Sequence, residues 1–157
     1  MTKFILRIQF LLTAFFVLAV SGFAQQVNSE IVLYKVTTDA EGREQLVEAD
    51  SVQQNDLLEY QLIYNNTGST AITSLKAVLP VPKEMKLIMP ENQAEAFTPK
   101  VSLNSTSWSA YPIMEEAPGS DPLKKPVDER LYRFLQWNIA TLEPGSQHIL
   151  KARMRVL

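Results

Sequence analysis

The chain is predicted to fold as an all-β sandwich of about seven strands, and three observations predict it. Beyond the first 24 residues, no long stretch carries the 3.6-residue apolar period of an amphipathic helix. Short runs in which apolar and polar residues alternate recur instead, at Leu57–Tyr64 and again at Leu150–Val156, with the period of two that a half-buried strand requires. Between such runs stand clusters of Asp, Asn, Gly and Pro, whose backbone preferences reverse a chain.

The first element is a leader. Lys3 and Arg7 precede and enter an apolar run, Ile8–Val20, which ends in Ser21-Gly22-Phe23-Ala24. A basic start, a short apolar core and small residues before a cut mark a secretory signal peptide, so residues 1–24 are expected to be removed and the mature chain to begin at Gln25. The competing reading, a retained anchor, needs ~20 apolar residues to span a bilayer, and this run is shorter. The mature chain is therefore expected to carry no membrane span, and to lie in the periplasm or outside a bacterial cell.

Removing the first 24 of 157 residues leaves 133, residues 25–157, a size suited to a single domain with its own core. Lys3 and Arg7 leave with the leader, so 15 basic residues fall to 13 against 17 acidic, and the formal charge moves from −2 to −4. That balance, with no basic cluster interleaved with aromatics, disfavours nucleic acid as a partner. Cysteine is absent, so an exported chain must be held by packing rather than by disulfides.

Ile31–Thr37 and Glu44–Ala49 flank the turn Asp39-Ala40-Glu41-Gly42 and read as an opening hairpin. Asp39, Glu41 and Asp50 suggest calcium, but one turn brings too few oxygens together, and solvated turn carboxylates are the better reading. In Leu57–Tyr64, Leu58, Tyr60, Leu62 and Tyr64 share one face and Glu59 and Gln61 the other, which predicts one dry side and one wet side. Asn65-Asn66-Thr67-Gly68 then turns the chain into Ile72–Leu79, expected to lie beside the strand before it and to be ended by Pro80 and Pro82.

Glu84–Met89 alternates weakly and predicts a short strand. Prolines at 90, 99, 112, 118, 122 and 126 then punctuate a region in which Lys100–Ser109 reads as a strand and Met114–Val127 as a long loop. Arg130–Ile139 returns to strand composition, with Leu131, Arg133, Leu135 and Trp137 on one face and Tyr132, Phe134, Gln136 and Asn138 on the other. Glu143-Pro144-Gly145-Ser146 turns into a last strand, where Leu150, Ala152, Met154 and Val156 alternate with Lys151, Arg153 and Arg155.

Two of these segments carry a resemblance. Tyr60, Leu62, Tyr64, Asn66, Thr67, Gly68, Leu79 and Pro80, followed by Trp137, Ile139, Leu142, Pro144 and Gly145, form an N-x-T-G turn after an alternating strand, a strand ending in Leu-Pro, and a W-x-h-x-x-L-x-P-G segment (h for apolar). In order and spacing this resembles a bacterial cell-surface repeat family of unknown function, over roughly Ile31–Leu157. The resemblance implies an immunoglobulin-like β-sandwich. The family's usual D-x-L-P is Ala77-Val78-Leu79-Pro80 here, without the aspartate.

Little in the sequence points to chemistry. His148 is the only histidine, no nucleophile motif accompanies it, and a surface position is the simpler reading. With no cysteine a zinc site would rest almost wholly on carboxylates, so no metal or other cofactor is expected. Glu115-Glu116 lack the fixed separation that a pair of glycosidic acids needs. Lys35 and Asn138 vaguely resemble the first-strand lysine and last-strand asparagine that some bacterial surface sandwiches join by an isopeptide bond, against which stands an ordinary solvent-facing lysine.

Trp108 and Tyr111 are the candidate partner-binding residues. They lie in NSTSWSAYP, amid small polar residues, where exposed rings could anchor a protein or stack on a sugar and where a tryptophan could equally pack under its own loop. Asn65-Asn66-Thr67 and Asn104-Ser105-Thr106 fit the glycosylation sequon, but read as turns. The expected function is that of an exported, non-enzymatic module serving in cell-envelope structure or in protein–protein interaction, with another envelope or surface protein as the expected partner. The alternative is a carbohydrate-binding module using the aromatics of residues 104–112.

Overall fold

The computed structural model describes residues 27–89, 98–116 and 124–157, so the signal-peptide reading of residues 1–24 lies outside the described residues. The opening hairpin forms as predicted, β1 (Val27–Thr38) returning as β2 (Glu44–Glu48). Its turn is closed by Asp39, whose carboxylate accepts hydrogen bonds from the amides of Glu41 and Arg43 at 3.0 and 2.8 Å, the Arg43 guanidinium at 2.9 Å and the Gln45 amide at 3.2 Å. Both oxygens are thus spent within the turn. Gly42 occupies a left-handed φ of 82° there, a conformation that glycine adopts without steric cost.

The remaining strands are β3 (Leu57–Asn66), β4 (Ile72–Pro80), β5 (Met85–Ile88), β6 (Lys100–Ser102), β7 (Met114–Glu116), β8 (Lys124–Pro126), β9 (Phe134–Leu142) and β10 (Gln147–Val156). The described residues form an all-β fold of antiparallel sheets: five strands in the order β2-β1-β3-β10-β5, three in the order β4-β9-β6, and the two-stranded ribbon β7-β8. About seven strands were expected for a sandwich; eight make the two larger sheets, and the ribbon is additional. One core joins the larger sheets, with Leu62, Leu150 and Met154 of the first packed among Ala77, Leu79, Leu135, Trp137 and Ile139 of the second.

Four local expectations change. The strands β3 and β4 are not neighbours, because the chain crosses from one sheet to the other between them. The pivot is Asn66, fully buried, whose side-chain NH₂ donates to the carbonyls of Thr70 and Leu142 at 2.8 and 2.9 Å while its Oδ1 accepts from the Gly68 amide at 3.0 Å. Its backbone pairs with Ser146 and Gly145 in the β9–β10 turn. The two segments singled out for their resemblance therefore meet at this corner. A short polar turn seen in sequence carries no label saying whether it closes a hairpin or crosses between layers; that depends on where the next strand finds its partner.

Between Lys100 and Ser109 only a three-residue strand forms, with one bridge from Val101 to Ser109. The proline-rich stretch Met114–Val127 is not simply a loop, since β7 and β8 pair within it, Met114 opposite Pro126. Proline at the end of so short an edge strand removes no interior ladder bond. Finally, Arg130–Ile139 does not keep one phase. Glu129–Leu131 is a 3₁₀ turn capped by Asp128, which accepts from the Arg130 amide, and only from Phe134 does the strand begin. That turn leaves Leu131 half exposed and sends Tyr132 fully inside, reversing the faces expected for those two residues. From Leu135 onward the predicted alternation holds, with Leu135, Trp137 and Ile139 buried.

Candidate functional site

The 3₁₀ turn and the ribbon are neighbours, and an open cleft of about 760 Å³ lies between them. Its floor is set by aromatic packing. Tyr132 sits in the core, its hydroxyl oxygen accepting from the Ile113 amide at 2.9 Å. Tyr111 packs on it with ring centroids 5.7 Å apart and lines the cleft. The Tyr111 hydroxyl donates to Glu129 at 3.0 Å, and the other Glu129 oxygen is held by Lys86 of β5 at 2.7 Å.

The charges of this cleft are neutralised in pairs. Arg130 grips Asp128 at 2.7 Å and Lys125 faces Glu115 at 3.4 Å, alongside the Lys86–Glu129 pair. Arg130's hydrogen bonds and charge hold the Asp128 carboxyl down at about 2. Burial, then the hydrogen bond and charge of Glu129, push the Tyr111 hydroxyl up to about 12. At neutral pH the Asp128 and Glu129 carboxylates are therefore ionised and the Tyr111 phenol is protonated, an arrangement suited to holding a shape. Leu131 and Leu157 add exposed apolar surface to the rim.

The two predicted site residues are placed differently. Tyr111 belongs to the cleft, while Trp108 is half buried with its ring edge-on to Phe134 of β9, centroids 6.4 Å apart. Tyr111→Phe is expected to keep the fold and to lower stability by ~1 kcal/mol or less, since one partly exposed hydrogen bond is lost; a denaturant melt checks it. Sequence reading missed Lys86, Glu129 and Leu131, because residues from β5 and the 3₁₀ turn have no sequence proximity to Tyr111. The signal available was the run of three consecutive charged residues, Asp128-Glu129-Arg130, shortly before the aromatics Tyr132 and Phe134.

A second charged cluster lies on the outer face of the five-stranded sheet. Glu59, predicted to be solvated, is 3% exposed. Arg153 of β10 reaches it at 3.0 Å and Lys151 at 3.6 Å, Gln61 donates at 2.8 Å, and Arg153 extends further to Glu44 of β2 at 2.9 Å. Long cationic side chains laid across the strand cover the carboxylate that alternation had put on a wet face. Burial acts to raise the Glu59 carboxyl, but the hydrogen bonds of Gln61 and Arg153 with the charges of Lys151 and Arg153 outweigh it and leave it below the usual range.

A carboxyl lowered on folding stabilises above its unfolded pKa, about 4.3 for Glu, and that contribution is lost as pH falls through the folded value. Glu59→Gln is accordingly expected to be less stable than the parent at neutral pH, with the gap narrowing as pH falls below the unfolded carboxyl's range. Thermal melts of both proteins across that range test it, and a gap independent of pH would remove the ionic account.

The other candidates are dispersed. Lys35 pairs with Asp56 at 2.8 Å, whereas Asn138 is exposed on β9 in the opposite sheet. His148 is the second residue of β10, opposite Tyr64. Asn104 closes a turn by accepting from the Thr106 and Ser107 amides. Among the described residues no three His, Asp or Glu side chains gather as metal ligands, and no helix is long and apolar enough to cross a membrane. Compared with protein-family models, curated proteins and solved structures, the chain matches none of them significantly.

Proposed function

We propose that this chain is an exported, immunoglobulin-like module of a bacterial cell envelope that acts by protein–protein contact and performs no catalysis. The observation that carries the reading is the cleft beside Tyr111. Its ionic groups are paired with one another and its phenol is held protonated, while Leu131 stands half exposed at the rim, a polar surround for an apolar anchor of the kind protein interfaces use. The two antiparallel sheets on a shared core, together with the family resemblance, support the immunoglobulin-like assignment. Residues 1–24 act in this reading as a cleaved leader, and intact mass of the exported protein should start at Gln25.

Leu131→Glu tests the cleft. The variant is expected to melt like the parent, because Leu131 contributes little buried area, and to lose at least about tenfold in affinity for the partner recovered by crosslinking in the native cell. Undiminished capture of the same partner would remove the cleft from the function. The sugar-binding alternative retains Tyr111 on the cleft wall as its support, and a glycan array separates the two, since only that alternative requires a signal.

A further inference from the structure

We propose that the free half of β1 is a self-association edge, at which two copies of this chain pair antiparallel about a two-fold axis passing at Ser29. The strand β2 covers only Tyr34–Thr38 of β1, and the last bond on that side runs from the Ala49 amide to the Leu33 carbonyl at 3.4 Å. Val27–Val32 pair with β3 on one side. On the other side, no described strand pairs with them. The Leu33 carbonyl points toward β2, and backbone groups in an antiparallel strand alternate between its two edges. Val27, Ser29 and Ile31 therefore aim their N–H and C=O groups at the open side.

Among the described strands the other open edges are short or blunted, β2 being five residues bounded by Glu44 and Glu48. The outer edge of β4 carries Lys76, Pro80 and a left-handed Ser74 at φ 57°, and β5 and β6 are four and three residues long. Lysine, proline and backbone irregularity are the means by which edge strands avoid pairing. Val27–Val32 contains none of them. Nor is the edge overhung by the second sheet: Ile31 is 60% exposed although Leu62, its register partner on β3, is buried.

What singles out a second copy is the sequence of the edge. An axis at Ser29 sets Ser29 against Ser29, and Val27 against Ile31 on the same face as Leu62. On the opposite face Asn28 meets Glu30. Apolar residues meet apolar ones and no like charges are opposed, as a self-complementary interface requires. Moving the axis to Glu30 would set two carboxylates directly across from each other, which is unfavourable. Pairing also stops naturally at Ile31, because the next outward carbonyl, on Leu33, is already taken by Ala49.

The chain contains no cysteine, so Ser29→Cys gives a clean test in the protein purified from its native source. A hydrogen-bonded antiparallel pair holds its Cα atoms ~5.5 Å apart, within disulfide reach. Mild oxidation should give a covalent dimer, whereas Glu30→Cys, opposite Asn28 in this register, should stay monomeric on the same gel. Ser29→Pro should remove an outward donor and leave the β3 ladder intact, so its melting temperature should change little while dimerisation in sedimentation weakens at least about tenfold. A parent protein that sediments as a monomer at every concentration, or equal crosslinking of the two cysteine variants, would overturn the proposal.

Discussion

Trp137→Ala is expected to destabilise the domain by about 3–5 kcal/mol, a cost that combines the lost burial of an indole with the cavity it leaves. Trp137 is 3% exposed and lies on β9, the middle strand of the three-stranded sheet, opposite Ala77 and among side chains from both sheets. Ala77 is too small to fill the space. Since a domain of this size holds roughly 5–15 kcal/mol in all, the variant should lose much of its denaturant midpoint. Val78→Ala, at a neighbouring register position but 43% exposed, is the control and should stay within ~0.5 kcal/mol of the parent. Equal losses in the two variants would mean that the core does not lie between the sheets.

Asn66→Ala should be nearly as damaging, at about 2–4 kcal/mol, for a different reason. No large volume is lost, but the carbonyls of Thr70 and Leu142 and the amide of Gly68 lose their partner together. Asn66→Asp sharpens the test. It can still accept from Gly68, yet it presents a carboxylate to two carbonyl oxygens and should be no more stable than the alanine variant. Hydrogen exchange gives the local readout, since the Gly68 and Gly145 amides report on the two chain segments that Asn66 and its backbone join. Protection at Gly145 that survives in a destabilised variant would show that the backbone pairing of residue 66 with the β9–β10 turn holds the corner without the side chain.

These two residues show how far local pattern reaches. Trp137 was legible as core because Leu135, Trp137 and Ile139 repeat at a period of two, and side-chain alternation is a property of the strand itself. The importance of Asn66 was not legible, because asparagine in a polar turn looks the same whether its amide faces water or a carbonyl 76 residues later in the chain.

Glu59 makes the same point for charge. Its place on the outer face followed from alternation with Leu58 and Tyr60, but its burial is caused by Arg153 and Lys151, whose strand arrives 94 and 92 positions later in the sequence. The cleft depends on a comparable accident of assembly. Tyr111 could be nominated from the sequence as an aromatic in a polar stretch, whereas its separation from Trp108, its pairing with Glu129 and the arrival of Lys86 needed the strand order.

By itself, then, the sequence determined the all-β class, the opening hairpin, the inward residues of β9 and β10 and the approximate bounds of β2 to β5, because each follows from a side-chain period or a turn preference spanning a few residues. Only the tertiary structure decided which strands are neighbours, that β3 and β4 belong to different sheets, and that Asn66, Glu59 and Tyr132 lie inside. Strand pairing is settled by contacts between distant segments, and a side chain's solvation depends on what those segments lay over it; neither quantity is stored in the local period of the chain.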